Sequence, residues 1–456
     1  MTIKVFEAFS GVGSQAMALR NIGLDFEVVG ISEVDRYGLL CYDKIHHNGE
    51  PVEEKTEEEM LAEMIKVNIG YNFSTGANEL PKDYESIKQL YEAHIRSKNY
   101  GDIRYIQEEF LPNFDLFTYS FPCKNISVAG KQAGLGKNSN TQSSLLWECL
   151  RIISHVKPKY LLMENVKNLV GKNHIRDFKE WISKLEALGY NNYWSVLNGK
   201  NFGVAQNRER VMMVSILKEY DNGFSMPQGI PCSVVLEDII EDEVDVTYYL
   251  NDIFIEKYSD KQKGIITHQA KTMVMVRQYE IDKEELRIFL VDHLNKSSYT
   301  KCSIAQALDL PYTLVEHWFR GSIRGFSIPL ASHWYQLKEL LNINVDKYDL
   351  AITSFIRREG VFEKAKRVYD VKGIAPTLTA TTCNEKVLLR DGKIRHLTER
   401  ETWRLQGFSD NDYDKVKDFI PSQRLYERAG RGIVVPMLEQ IFKELFKEEL
   451  VKQEVE

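Results

Sequence analysis

From residue 1 to about 220 the chain alternates short apolar runs with longer helix-prone stretches, and this alternation limits the fold more than any other feature. The runs are Lys4 to Phe9, Phe26 to Ser32, Phe114 to Ser120, Tyr160 to Met163 and Val211 to Ile216. Strand-length runs spaced by helical stretches predict an α/β domain with a doubly wound parallel sheet, because parallel neighbours need a crossover that is usually helical. In such sheets ligands bind at the carboxyl ends of the strands. The segments richest in chemistry lie at or beside the ends of these runs. They are Phe9-Ser10-Gly11-Val12-Gly13, Ile31-Ser32-Glu33-Val34-Asp35, Ser120-Phe121-Pro122-Cys123-Lys124, Glu164-Asn165-Val166 and Gln206-Asn207-Arg208-Glu209-Arg210.

A length of 456 residues allows a second lobe. Residues 221–250, with Asn222-Gly223, Pro227, Gly229 and Pro231 before an acidic stretch, read as a linker. Residues 251–370 break the sheet pattern, and residues 371–456 return to it and end in a helix from about Met437. The charged stretch between residues 44 and 100 reads as an insertion on the rim of the sheet, with no function assigned. No apolar stretch is long enough to span a bilayer, and the start runs straight into a strand pattern, so a cytoplasmic, membrane-free monomer is expected. Cys41, Cys123, Cys149, Cys232, Cys302 and Cys383 are scattered with no C-x-x-C pair, which argues against a metal site and against disulfides. The net charge of -7 requires any nucleic-acid surface to be local.

Each segment admits two readings when taken alone. Gly11 and Gly13 after Phe9 suit either an ordinary strand-to-helix turn or a close backbone approach to a ligand. Glu33, at the end of the second run, is where a carboxylate accepts hydrogen bonds from ribose hydroxyls, and Gly101-Asp102-Ile103 offers a third strand end. Cys123 is either a small buried hydrophobe or a nucleophile displayed on a Pro-Cys turn. Glu164 either caps the next helix or exchanges a proton. Arg208 and Arg210 alternate, so an extended backbone would send both to one face, either into solvent or toward an anion.

The set, in this order, resembles the cytosine-C5 DNA methyltransferase family. The resemblance covers residues 1 to about 220 and 370 to 440. It implies a Rossmann-like methyltransferase sheet, S-adenosylmethionine as cofactor, and transfer of a methyl group to C5 of a flipped cytosine in a specific duplex sequence. It further implies Cys123 as nucleophile, Glu164 as proton partner of the ring, and Arg208 with Arg210 as organisers of base and site. By position, Phe9, Gly11, Gly13, Glu33, Val34, Asp102, Ile103, Pro122, Gly430 and Gly432 would meet the cofactor. Three positions depart from the pattern: Ser14 stands where a third glycine is frequent, Val34 where an aromatic often covers the adenine, and Arg431 within the segment facing the methionine carboxylate. A glycine-rich stretch from Asn125 to Asn138 suits a mobile lid, with Lys131 and Lys137 in reach of phosphates.

Within the second lobe, Cys302 to Gly321 reads as helix, short turn, helix. This is either a plain helical hairpin or a DNA-reading helix-turn-helix, in which Tyr312, Thr313, Glu316, His317 and Arg320 would face the groove or its phosphates. The rivals are a tRNA methyltransferase, which would lack so large a second lobe, and a DNA-binding regulator, which would not need Cys123, Glu164, Arg208 and Arg210. A companion restriction endonuclease, acting independently, is possible in a modification system.

Overall fold

The computed structural model describes residues 2–72, 75–122, 126, 142–230, 233–250, 272–277, 281–329, 333–353, 355–360, 368–380, 385–391 and 393–455. The chain divides into two compact units, one made of Met1–Leu250, Thr267–Gln269 and Val368–Glu456, the other of Asn251–Ile266 and Ala270–Arg367.

The first unit is built on β1 (Ile3–Ala8), α1 (Ser14–Asn21), β2 (Phe26–Ser32), α2 (Arg36–His46), β3 (Leu116–Tyr119), α3 (Leu146–Val156), β4 (Tyr160–Val166), α4 (Ile175–Ala187), β5 (Tyr190–Asn198) and β6 (Glu209–Leu217), followed late in the chain by α5 (Ser422–Arg431) and α6 (Val435–Leu445). The sheet order is β2-β1-β3-β4-β6-β5. Strands β2, β1, β3 and β4 are parallel to one another, whereas β6 runs antiparallel to both β4 and β5. The sheet is therefore mixed and parallel-rich, not wholly parallel. Between β5 and β6 stand only a single 3-10 turn, Gly199–Asn201, and the two-residue strand Gln206–Asn207, so the chain turns back on itself there with no crossover helix.

Adjacent residues along each strand point to opposite faces, and each face is buried. Val5, Leu116, Leu162 and Met212 join Met17 and Leu19 of α1 and Leu438, Ile441 and Phe442 of α6 in one apolar cluster. Phe6, Phe117, Leu161 and Met213 join Ile152 and Ile153 of α3 and Phe178, Trp181 and Leu185 of α4 in the other. Such two-sided burial makes these strands read as continuous apolar runs.

The 221–250 stretch folds onto this unit: Phe224, Leu236 and Ile239 are in its core, and Leu236 N and Glu237 N donate to Gly373 O and Val371 O. The rim insertion forms helices Glu57–Lys66 and Tyr84–Arg96 with a short hairpin between them, and packs its apolar side on Ile31, Leu39 and Tyr42. Asp102 does not end a strand. Asn99 makes an isolated bridge to Ile31, Gly101 turns with φ of 69°, and Asp102 caps a single 3-10 turn.

In the second unit the helices Lys301–Ala307 and Tyr312–Trp318 pack on each other. Ile304, Ala305, Val315 and Trp318 are buried, and Leu308 and Leu310 pack partly buried against them. Among the described residues no helix is long and apolar enough to cross a membrane, and no cluster of side chains could hold a metal ion.

Candidate active site

The turn after β1 has positive φ at Phe9 (58°), Gly11 (57°) and Gly13 (78°), so the backbone reverses within a few residues. Gly13 must be glycine on packing grounds too, since a Cβ there would lie 2.2 Å from His46 Nε2. Gly11 differs: nothing lies within 4 Å of the position its Cβ would take. That open space beside the half-buried turn backbone is what a ligand approaching this loop would fill. Gly11 N donates to Glu33 Oε2 at 2.8 Å, and Asp35 N donates to Glu33 Oε1 at 2.7 Å. Each carboxylate oxygen keeps a second lone-pair direction for a further donor. Burial, and then the neighbouring Asp35 carboxylate, push the Glu33 carboxyl above its usual range.

Asn99 fixes this strand end. Its side chain accepts from Glu33 N and Gly101 N and donates to Glu33 O. Ser32 Oγ donates to Gly101 O at 2.6 Å, which brings Asp102 beside the end of β2. Asp102 and Ile103 are buried, Val34 is partly buried, and Val34 O accepts Gly70 N from the insertion. Phe9 packs against the apolar cluster on the α3 and α4 side of the sheet.

The late segment closes on the first loop. Ser14 Oγ accepts Ile433 N at 3.2 Å, so the residue in place of a third glycine ties α1 to the end of α5. A Cβ on Gly430 would sit 2.1 Å from Thr379 O, so only glycine fits. Arg431 points to Asp35, Nη1 to Oδ2 at 2.6 Å, and not into a free position for a methionine carboxylate. The wholly buried Arg428 grips the same Asp35. Burial opposes ionisation of Asp35, but the Arg428 and Arg431 guanidiniums outweigh it and hold the carboxyl well below its usual range.

Glu164 and Arg210 are brought together. Arg210 Nε lies 2.9 Å from Glu164 Oε1, with both side chains largely buried at the end of β4. Asn165 Nδ2 donates to Phe121 O at 3.0 Å, tying that strand end to the residue before Pro122, and Asn168 Nδ2 donates to Ile126 O. Cys123 between them lies outside the described residues, as do Lys131 and Lys137.

Arg208 does not share the face of Arg210. The backbone breaks between the two-residue strand Gln206–Asn207 and β6, and the buried Arg208 guanidinium donates to Leu378 O, Gly430 O and Gly432 O at 3.1, 3.1 and 2.8 Å. Its partners are main-chain carbonyls of the late segment. Gln206 works in parallel, with Nε2 donating to Leu405 O and Oε1 accepting Leu378 N.

In the second unit Tyr312 and Thr313 are exposed. Arg320 Nη2 is committed to Glu316 Oε2 at 2.8 Å and lies 3.2 Å from His317 Nε2, so these three hold one another.

Asn99, Arg104, Asn165 and Arg428 were not singled out from the sequence. For Asn165 the signal was present, since it adjoins Glu164. For Arg428 there was none, because its partner lies 393 positions away.

A family model described as C-5 cytosine-specific DNA methylase matches residues 74–447. Type II methyltransferase M2.ScrFI of Lactococcus lactis subsp. cremoris is 35% identical over 452 residues, covering 98% of this chain and 99% of that protein. Orphan methyltransferase M.SssI of Spiroplasma monobiae is 30% identical over 461 residues, with 97% of each chain covered. Orphan methyltransferase M.SPBetaI of Bacillus phage SPbeta is 25% identical over 508 residues, again with 97% of each covered. The chain belongs to the C-5 cytosine-specific DNA methylase family, and it is an S-adenosylmethionine-dependent enzyme that methylates cytosine in DNA at C5.

Proposed function

We propose that the methyl group goes to a cytosine flipped out of a specific duplex sequence, with Cys123, Glu164 and Arg210 acting on the base and the loops at Phe9, Glu33 and Asp102 holding the cofactor. The observation that carries this reading is the Glu164–Arg210 pair at the strand end tied through Asn165 to Phe121. Cytosine C5 is too weak a nucleophile to attack a sulfonium methyl unaided. The Cys123 thiolate adds to C6 and pushes electrons into the ring, while Glu164 shares a proton with ring N3 and so stabilises the charge that develops. Arg210 fixes Glu164 and offers its remaining guanidinium edge to the base. Bound S-adenosylmethionine supplies an electrophilic methyl group. Loss of the C5 proton and elimination of the Cys123 sulfur then release 5-methylcytosine.

The fit of the cofactor rests on the open face of Gly11 and on the spare lone pairs of Glu33. Phe9 would face the adenine; Gly13, Val34, Ile103 and Pro122 would line the site; Gly430 and Gly432 would close it. Arg208 serves here as a frame for that closing turn. Residues 251–370 would read the target, with the helix Tyr312–Trp318 as the reading element and Tyr312 and Thr313 as its exposed side chains. The relatives carry both type II and orphan names, so the reading assigns no companion nuclease. Bisulfite sequencing of DNA from cells expressing this chain tests the whole proposal: protected cytosines at one recurring sequence are expected, and full conversion would overturn it.

A further inference from the structure

The carboxylate of Asp102 is almost fully enclosed, and its acceptor positions are in use. Oδ1 accepts the main-chain N–H and Nε of Arg104, both at 3.0 Å, while Oδ2 accepts Arg104 Nη2 at 2.5 Å and Asn68 Nδ2 at 3.2 Å. The Arg104 guanidinium also lies 5.4 Å from the ring centre of Tyr71 and 5.7 Å from that of Tyr105. Asn68 and Tyr71 come from the rim insertion. The same turn sends Gly70 N to Val34 O at 2.7 Å, and Val67 O accepts Asp102 N at 2.9 Å. The insertion thus touches both Val34 and Asp102.

A forked guanidinium stops a carboxylate rotating, and a pre-set acceptor loses less freedom when a ligand docks. Of the side-chain donors on Asp102, Asn68 is the neutral one and makes the longest contact. An exocyclic amino group carries the same N–H donors as that amide and can replace it without leaving an oxygen unpaired.

We propose that Arg104 is a positioning residue for the adenine end of the cofactor, holding Asp102 as a fixed acceptor, and that Asn68 of the insertion is the donor that the adenine amino group displaces. The inference rests on the cofactor site proposed above. The insertion then controls how tightly, and how selectively, the purine is held.

Calorimetry on the full chain tests it with two probes, S-adenosylhomocysteine and its analogue in which hydrogen replaces the adenine amino group. Arg104→Ala should weaken S-adenosylhomocysteine about tenfold, the value of one hydrogen bond to a charged group, and leave the analogue within about twofold. Asn68→Gly, which suits the residue's φ of 60°, should tighten S-adenosylhomocysteine and not the analogue. Equal weakening of both probes by Arg104→Ala would make Arg104 a support of the fold and overturn the inference, as would no weakening at all. Failure of Asn68→Gly to tighten binding would remove the exchange. Glu33→Ala separates the two levels. If it weakens neither probe, the cofactor site itself is misplaced; if it weakens both while Arg104→Ala is silent, only the present inference falls.

Discussion

Arg428 grips Asp35 with both ends of its guanidinium, 2.6 and 3.0 Å from the two carboxylate oxygens. The carboxylate also caps α2 by accepting Tyr37 N and Gly38 N. Asp35→Asn keeps an acceptor for the cap but leaves the buried Arg428 with Glu427, 3.6 Å away, as its remaining counter-charge. The expected cost is about 3 kcal/mol in urea unfolding, because breaking a buried pair leaves a poorly compensated charge inside. A loss of about 1 kcal/mol or less is what an exposed pair would show, and it would contradict this account.

Glu164→Gln preserves shape and can still meet Arg210, but it cannot exchange a proton with the base. Turnover should fall by about a hundredfold or more with DNA and cofactor binding retained. Single-turnover methyl transfer checks this, and an unchanged rate would take Glu164 out of the chemistry.

Cys123→Ser should abolish transfer, since a hydroxyl at neutral pH is a far poorer nucleophile than a thiolate. The native chain should form a denaturant-resistant complex on duplexes carrying 5-fluorocytosine at the target, because fluorine cannot leave as the C5 proton does. Ready methylation of the normal duplex with no trapped complex on the fluorinated one would rule out the covalent route.

Glu7 lies fully buried beneath α1, where its carboxylate accepts Ala16 N and the Tyr42 hydroxyl. Burial pushes its carboxyl from 4.5 up to about 7, against the lowering effect of those two bonds. A raised folded-state value means that its contribution to stability is complete below pH 4.5 and is lost as pH rises through about 7. Glu7→Gln should therefore gain on the native chain across that window, reaching about 3 kcal/mol above it. Parallel thermal melts from pH 4 to 8 provide the comparison, and a constant difference between the two proteins would refute it.

Target reading should depend on Tyr312 and Thr313 more than on Arg320, which is already paired with Glu316. Truncating a base-contacting side chain should cost about 1 to 3 kcal/mol on the target duplex and little on a scrambled one at the same salt. If Tyr312→Ala and Thr313→Ala leave that ratio unchanged, these helices are scaffold.

The strands of the sheet were legible wherever both faces are buried, because such segments are apolar at most positions. Strand β5 was not: Asn191, Asn192 and Ser195 interrupt it, as an edge position permits. The reversal of β6 was equally hidden, since a strand carries the same residues in either direction. At the site, Glu164 and Arg210 lay near one another in the pattern of strand ends, and the structure pairs them. Alternation failed for Arg208, because a backbone break beside Asn207 cancels the period-two rule that put both arginines on one face. Arg428 and Arg104 were illegible for another reason. Each acts through a partner chosen by folding and not by spacing.

The contacts of Arg208 also set an order in time. Its guanidinium is held by Leu378, Gly430 and Gly432, and Asp35 by Arg428, so residues near the start wait for partners at the far end. A ribosome delivers those partners only after the whole second unit has been translated. The nascent first unit must pass that interval with Arg208 and Asp35 not yet matched to these partners.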